Sequence, residues 1–181
     1  MKFIKTKLDG LFIIKPEPFK DNRGMFYRLY CENELKEIGF AGSIVQINLS
    51  TNLKKGTIRG MHFHYPNKTE TKIVKCLKGS IYDVVIDIRK DSPTFLEWHN
   101  EIISDKNMKY LYIPEGFAHG FQTMEDNCEI LYLHSKFYSS EYEGAIRYND
   151  PKINITWPLE VSEISERDKN HKLIDGTYKW I

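Results

Sequence analysis

Period-two alternation is the pattern that most restricts how this chain can fold. In Arg59-Gly60-Met61-His62-Phe63-His64, an extended backbone puts Gly60, His62 and His64 on one face and Met61 and Phe63 on the other. Ile44 to Ser50 alternates likewise, with Ile44, Gln46, Asn48 and Ser50 opposed to Val45, Ile47 and Leu49. Glu129 to His134 separates Ile130, Tyr132 and His134 from Leu131 and Leu133. Thr71 to Leu77, Ser80 to Ile88, Phe95 to Ile103 and Lys109 to Ile113 are further strand-like runs. Phe3 to Lys15 reads as two short strands about Asp9-Gly10, and Met25 to Tyr30 as a strand after the turn Asp21 to Gly24. Asn33 to Ile38 is the one convincing short helix, with Asn33 as its cap and Gly39 as its stop. Many short strands separated by turns predict an all-β sandwich or barrel rather than an α/β fold.

The chain has 181 residues, read as one domain over 1–181, long enough to bury a substantial core. Lys and Arg number 26 against 25 Asp and Glu, so bulk charge gives no footprint for nucleic acid. The three cysteines, Cys31, Cys76 and Cys128, form no CxxC pair and fit a reducing cytoplasm. The opening MKFIKTKLDG lacks the apolar run of a signal peptide, and no stretch reaches the ~20 apolar residues of a membrane helix. A cytoplasmic protein without a membrane partner is expected.

Two stretches draw attention for chemistry. On Arg59 to His64 the two imidazoles are surface or satisfied core groups, or else they point together into a site with Gly60 leaving room beside them. In Tyr112 to Phe121, Pro114 and Gly116 mark a tight turn, and His119 follows between Ala118 and Gly120, with open space around it. The polar side of Ile44 to Ser50 is solvated or lines a cavity, and its apolar side belongs in the core. Asp83 and Asp87 share a face of their strand. The C-terminal part from Asn149 is loop-like and ends at Ile164 to Asp168, where Asp168 can reach back to the barrel mouth.

Taken in order, RGMHFH, TKIVKCLKGSIYDVVIDIR, IPEGFAHGF, EILYLHSKFY, YNDPKINITWP and ISERD resemble the dTDP-4-dehydrorhamnose 3,5-epimerase family, of the cupin superfamily of small jelly-roll barrels. The resemblance runs from about Phe3 to Asp168. It implies an epimerase of a nucleotide-linked 4-keto-6-deoxy sugar, in deoxysugar and lipopolysaccharide or capsule biosynthesis, working as a homodimer without metal or cofactor. It implies His62 as base with Asp168 on its far nitrogen, Lys72 near the C4 oxygen and Tyr132 as acid on the opposite face of the ring. Arg23, Phe26, Gln46, Asn48, Arg59, His119 and Tyr138 fall at substrate-binding positions, Asp83 would orient His119, and Arg167 is a further candidate.

Two departures stand out. Arg28 replaces the carboxylate that the family usually carries in RGxFxE, which leaves the base open among dTDP, CDP and GDP. His64 stands where the family commonly has Gln or another residue. His62, His64, Glu70 and His119 also mimic the ligand set of metal-binding cupins, suited to iron, manganese or nickel, though the gap from His64 to Glu70 is long. A non-catalytic sugar-nucleotide-binding cupin is a third reading, but a binder has no need of an opposed acid and base. Hexose or heptose, and inversion at C3, C5 or both, stay open at this point.

Overall fold

Strand follows strand with little between them, as the alternation demands. In the computed structural model, which describes residues 1–178 and 180, the first half of the chain forms β1 (Lys2–Lys5), β2 (Phe12–Lys15), β3 (Phe19–Asp21), β4 (Gly24–Phe26), α1 (Glu32–Lys36), β5 (Gln46–Asn52), β6 (Ile58–His64) and β7 (Lys72–Lys78). The second half forms β8 (Ser80–Asp87), β9 (Trp98–Ser104), β10 (Tyr110–Ile113), β11 (Phe117–Thr123), β12 (Cys128–His134), β13 (Glu143–Ala145) and α2 (Glu166–Lys169). One sheet has the order β1-β2-β10-β7-β12-β5 and the other β13-β6-β11-β8-β9, while β3 and β4 make a separate hairpin. No helix among the described residues is long and apolar enough to cross a membrane.

The inward faces of both sheets share one apolar layer, with Val74, Cys76 and Ile130 from the six-stranded sheet against Ile81, Val85 and Phe121 from the five-stranded one. Each such buried aliphatic or aromatic side chain contributes roughly 1.5–3 kcal/mol. The outer face of β7, β10 and β12 is covered by Leu35 and Phe40. The outer face of the five-stranded sheet is covered by the C-terminal segment through Ile153, Ile155 and Ile174.

Four details differ from the sequence expectation. The strand predicted from Met25 to Tyr30 ends at Phe26. The short helix begins at Glu32 after an extended Cys31, so Asn33 lies inside it rather than capping it, while Gly39 has the positive φ of a stop. The C-terminal loop contains α2, whose entry is capped by Ser165 Oγ accepting from the Asp168 N–H at 3.0 Å. The largest difference is β5. Its apolar side does not enter the core: Ile47 is 62 % exposed, although Leu133 directly across from it is buried. The layer under Leu35 and Phe40 ends at β12, and β5 is the edge strand beyond it.

The glycines flanking the histidines also have a different use from the one expected. They leave no open space; they let two backbones touch. A Cβ at Gly60 would lie 2.6 Å from Gly120 Cα and 2.7 Å from the His119 carbonyl oxygen. One at Gly120 would lie 2.6 Å from both the Arg59 carbonyl oxygen and Met61 Sδ. This approach of β6 to β11 sets His62 directly opposite His119. Gly120→Ala should therefore cost ~1–3 kcal/mol by overpacking, read as a lower urea midpoint. Gly176→Ala, with nothing within 4 Å of its added Cβ, serves as control. A native midpoint for Gly120→Ala would show that the strands separate freely and that the contact positions nothing.

Candidate active site

The layer between the sheets changes character along its length. On β12 the inward face runs from Ile130, in the core, to Tyr132 and His134, and on the adjacent β7 it runs from Cys76 and Val74 to Lys72. At that polar end the sheets part around a cavity of about 260 Å³. Tyr132, His134 and Lys72 line it from the six-stranded sheet; Arg59, His62, His64 and His119 line it from the five-stranded one. Asn48 and Ser50 of β5 lie at its margin, with Tyr138 and Glu143. The volume falls below the ~300–1,000 Å³ of pockets that enclose a drug-sized ligand, so it suits one ring rather than a whole nucleotide sugar.

His62 is half-buried, and its Nε2–H donates to Asp168 Oδ1 at 2.8 Å. Asp168 Oδ2 accepts the Gly60 N–H at 3.2 Å. Burial alone would raise the Asp168 pKa. The hydrogen bond and charge of His62, with the Gly60 N–H, outweigh it and bring the carboxyl down to about 2. The acceptor is therefore a carboxylate, so when the His62 ring is neutral its one proton is held at Nε2 and Nδ1 has the lone pair. Across the cavity, burial pushes the Tyr132 phenol far above its ordinary value, with the nearby Asp83 charge adding to the effect. That hydroxyl is a proton donor at any working pH. The Tyr132 ring stacks on His134 and meets His119 edge-on.

Glu70 ties the polar end together. Its carboxylate accepts from His134 Nδ1 at 2.8 Å and lies 3.1 Å from His64 Nδ1 and 3.3 Å from Lys72 Nζ. Burial opposes its ionisation, but His134, His64 and Lys72 hold it well below the usual carboxylate range. Lys72 Nζ also lies 3.4 Å from the His62 carbonyl oxygen, so the ammonium is fixed between β6 and Glu70. On β8, Asp83 sits diagonally from His119 and accepts its Nε2–H through both oxygens, at 3.0 and 2.9 Å. Desolvation raises the pKa of this fully buried acid.

Not every candidate from the sequence reaches the cavity. Arg59 lines it, with Nε donating to Asn52 Oδ1 at 2.6 Å. Gln46 stands beside it, donating to Asn48 Oδ1 and accepting from the Tyr138 N–H. Arg167 binds Glu143 on the cavity margin. Arg23 and Phe26 lie elsewhere, on the β3–β4 hairpin: Arg23 pairs with Asp21, and Phe26 is 81 % exposed. Arg28 pairs with Glu34 rather than facing the cavity. The four groups of the metal-cupin reading do not converge. His62 is turned to Asp168, His119 to Asp83, and Glu70 to His64, His134 and Lys72. His134 and Glu143 were not singled out from the sequence. Strand parity carried the signal for His134, two residues from Tyr132 on the same face; Glu143, on a three-residue strand, carried none.

The family model for dTDP-4-dehydrorhamnose 3,5-epimerase matches residues 5–175. The chain is 42% identical over 174 residues to the dTDP-4-dehydrorhamnose 3,5-epimerase of Methanothermobacter thermautotrophicus, covering 94% of this chain and 93% of that protein. Among solved structures it is similar to the enzyme of that name from Bacillus anthracis with TDP and PPi bound, at TM-score 0.92 and 37% identity, covering 96% of this chain and 99% of the other. It is also similar to the Legionella pneumophila dTDP-6-deoxy-D-glucose-3,5-epimerase in complex with dTDP-4-keto-L-rhamnose, at TM-score 0.90 and 38% identity, covering 95% and 92%.

Proposed function

Since the chain belongs to the dTDP-4-dehydrorhamnose 3,5-epimerase family, we propose that it inverts C3 and C5 of a dTDP-linked 4-keto-6-deoxyhexose through enolates formed by His62. It is an epimerase, an isomerase-class enzyme of deoxysugar-nucleotide biosynthesis. The ketone acidifies the C–H bonds on both neighbouring carbons. Inversion then needs a base on one face of the ring, charge stabilisation at the C4 oxygen and an acid on the other face.

The observation that carries this reading is the division of base and acid between the two cavity walls. His62 comes from β6 of one sheet and Tyr132 from β12 of the other. A ring between them meets a free Nδ1 on one side and a protonated phenol on the other. Lys72, held by Glu70, supplies positive charge for the enolate oxygen. Because the cavity suits a single ring, the diphosphate and nucleoside extend past Arg59 and Asn48. Arg28 pairs with Glu34, and the TDP and dTDP-4-keto-L-rhamnose bound in similar solved structures favour dTDP over CDP or GDP.

Two experiments test these points. With dTDP-4-keto-6-deoxyglucose in D2O, His62→Ala should lose both C–H exchange and inversion, each by ~100- to 10,000-fold. Tyr132→Phe should still exchange deuterium while giving little inverted product, because the enolate is reprotonated from the His62 side. Near-native inversion by Tyr132→Phe would remove it as the acid. CDP- and GDP-linked analogues turned over at an equal rate would overturn the choice of base.

The active species is proposed to be a homodimer. The uncovered face of β5 and the exposed Phe19, Met25 and Phe26 of the hairpin are apolar surface that a second copy would bury, and Arg23 and Phe26 would then serve a neighbouring cavity. Sedimentation velocity should find a dimer at micromolar protein and a shift to monomer in Ile47→Lys. A native monomer with full activity would contradict it.

A further inference from the structure

One residue beside the base has no part in the chemistry above. His171, in the segment after α2, brings Nε2 to 3.6 Å from Asp168 Oδ1, the oxygen that also accepts from His62. That nitrogen is buried and has no hydrogen-bond partner. His62 Nε2, Asp168 Oδ1 and His171 Nε2 all lie within 4.8 Å of one another, and among the described residues they are the only such trio of metal-ligating side chains. Ligand atoms ~2.0–2.2 Å from a common ion stand about 3–4 Å apart, so the trio needs only small side-chain movements to close on one.

We infer that His62, Asp168 and His171 form a site for a first-row divalent ion, zinc in the first place, and that the ion switches the epimerase off. Two imidazoles and one carboxylate with a fourth position open to water are a recurrent zinc donor set, and zinc outranks manganese and iron for such ligands. A second cavity, of about 480 Å³, is lined by His171, Arg167, Glu143 and Asp175. Two cations oppose an ion: Lys172, which lines the same cavity, and Arg167, whose Nε is 3.9 Å from Asp168 Oδ1 but whose terminal guanidinium nitrogens are both engaged by the Glu143 carboxylate.

Inhibition follows from the proton balance of one ring. With the ring neutral and Asp168 a carboxylate, the His62 proton is on Nε2, donated to Asp168, and Nδ1 has the lone pair. An ion bound to Nε2 uses the electron pair of that nitrogen, so the single ring proton moves to Nδ1. The hydrogen bond from Nε2 to Asp168 Oδ1 is replaced by coordination of Nε2, Oδ1 and His171 Nε2 to the ion, and nothing is oxidised or reduced. The nitrogen that would take the sugar proton now carries one. Metal binding and base catalysis are mutually exclusive, so the ion is an inhibitor and not a cofactor.

The inhibitory half of this proposal rests on the epimerase reading; the binding half does not. Chelator-stripped full-length protein titrated with Zn2+ in a calorimeter should bind one ion per chain at micromolar concentration. Epimerisation should fall in parallel and return on adding EDTA. His171→Ala, checked for folding by its melting temperature, should keep the basal rate and need at least ~10-fold more Zn2+ for both binding and inhibition. His171→Gln, which preserves bulk, should behave in the same way. No heat of binding at micromolar Zn2+, or unchanged affinity in both His171 variants, would overturn the site; the second result would put the ion elsewhere, with Glu70, His64 and His134 next to examine. One-to-one, His171-dependent binding that leaves the rate untouched would overturn the inhibition alone.

Discussion

The hydrogen bond between His62 and Asp168 is the contact on which the rest of the site depends. It joins a barrel strand to a four-residue helix 106 positions later in the chain. Asp168 is held from three directions: its own N–H by Ser165, one oxygen by His62 and the other by the Gly60 N–H. The segment that follows is anchored by Ile174, packed against the outer face of the five-stranded sheet. The tautomer of the base is thus set by packing of the chain's last part, well away from the cavity. A carboxylate with its pKa near 2 stays charged across the whole range in which an imidazole can act as a base.

The second constraint is the polarity gradient inside the sandwich. Apolar residues fill one end and close it to water. At the other end most polar groups have a counterpart: Lys72, His64 and His134 around Glu70, His119 on Asp83, Arg167 on Glu143, while Arg59 has only the neutral Asn52 amide oxygen. Buried charges left unpaired would cost several kcal/mol each, and here they are paired while Tyr132 stays neutral between them. Charge that develops on an enolate oxygen would meet Lys72 in surroundings where electrostatic forces are stronger than in water. The close backbone contact at Gly60 and Gly120 fixes the spacing of the histidine-bearing strands.

Much of this was legible in the sequence, for identifiable reasons. Alternation gave most of the strands, the two-sheet fold and the shared face of Tyr132 with His134, because a period of two is imposed by the backbone itself. Long motifs singled out His62, Lys72, Tyr132 and Asp168. Alternation could not tell which face of β5 would be covered, since it divides a strand into two sides without saying what lies against either. Glycine beside histidine suggested space, where the structure has backbone contact. Ser165 three residues before Asp168 is a helix-start signal that could have been read. His171 stands three residues after Asp168, the i,i+3 spacing that makes side chains neighbours on a helical turn, just past the end of α2.

The central claim is that Asp168 keeps the proton of His62 on Nε2 and leaves Nδ1 bare for the substrate. Long-range 1H–15N correlation of the imidazole rings in metal-free enzyme, with His62 assigned from the His62→Ala spectrum, measures this directly. At a pH where the ring is neutral, the account predicts a protonated-type Nε2 and a bare-type Nδ1, and loss of that preference in Asp168→Asn. A His62 that carries its proton on Nδ1 in the native enzyme would contradict it.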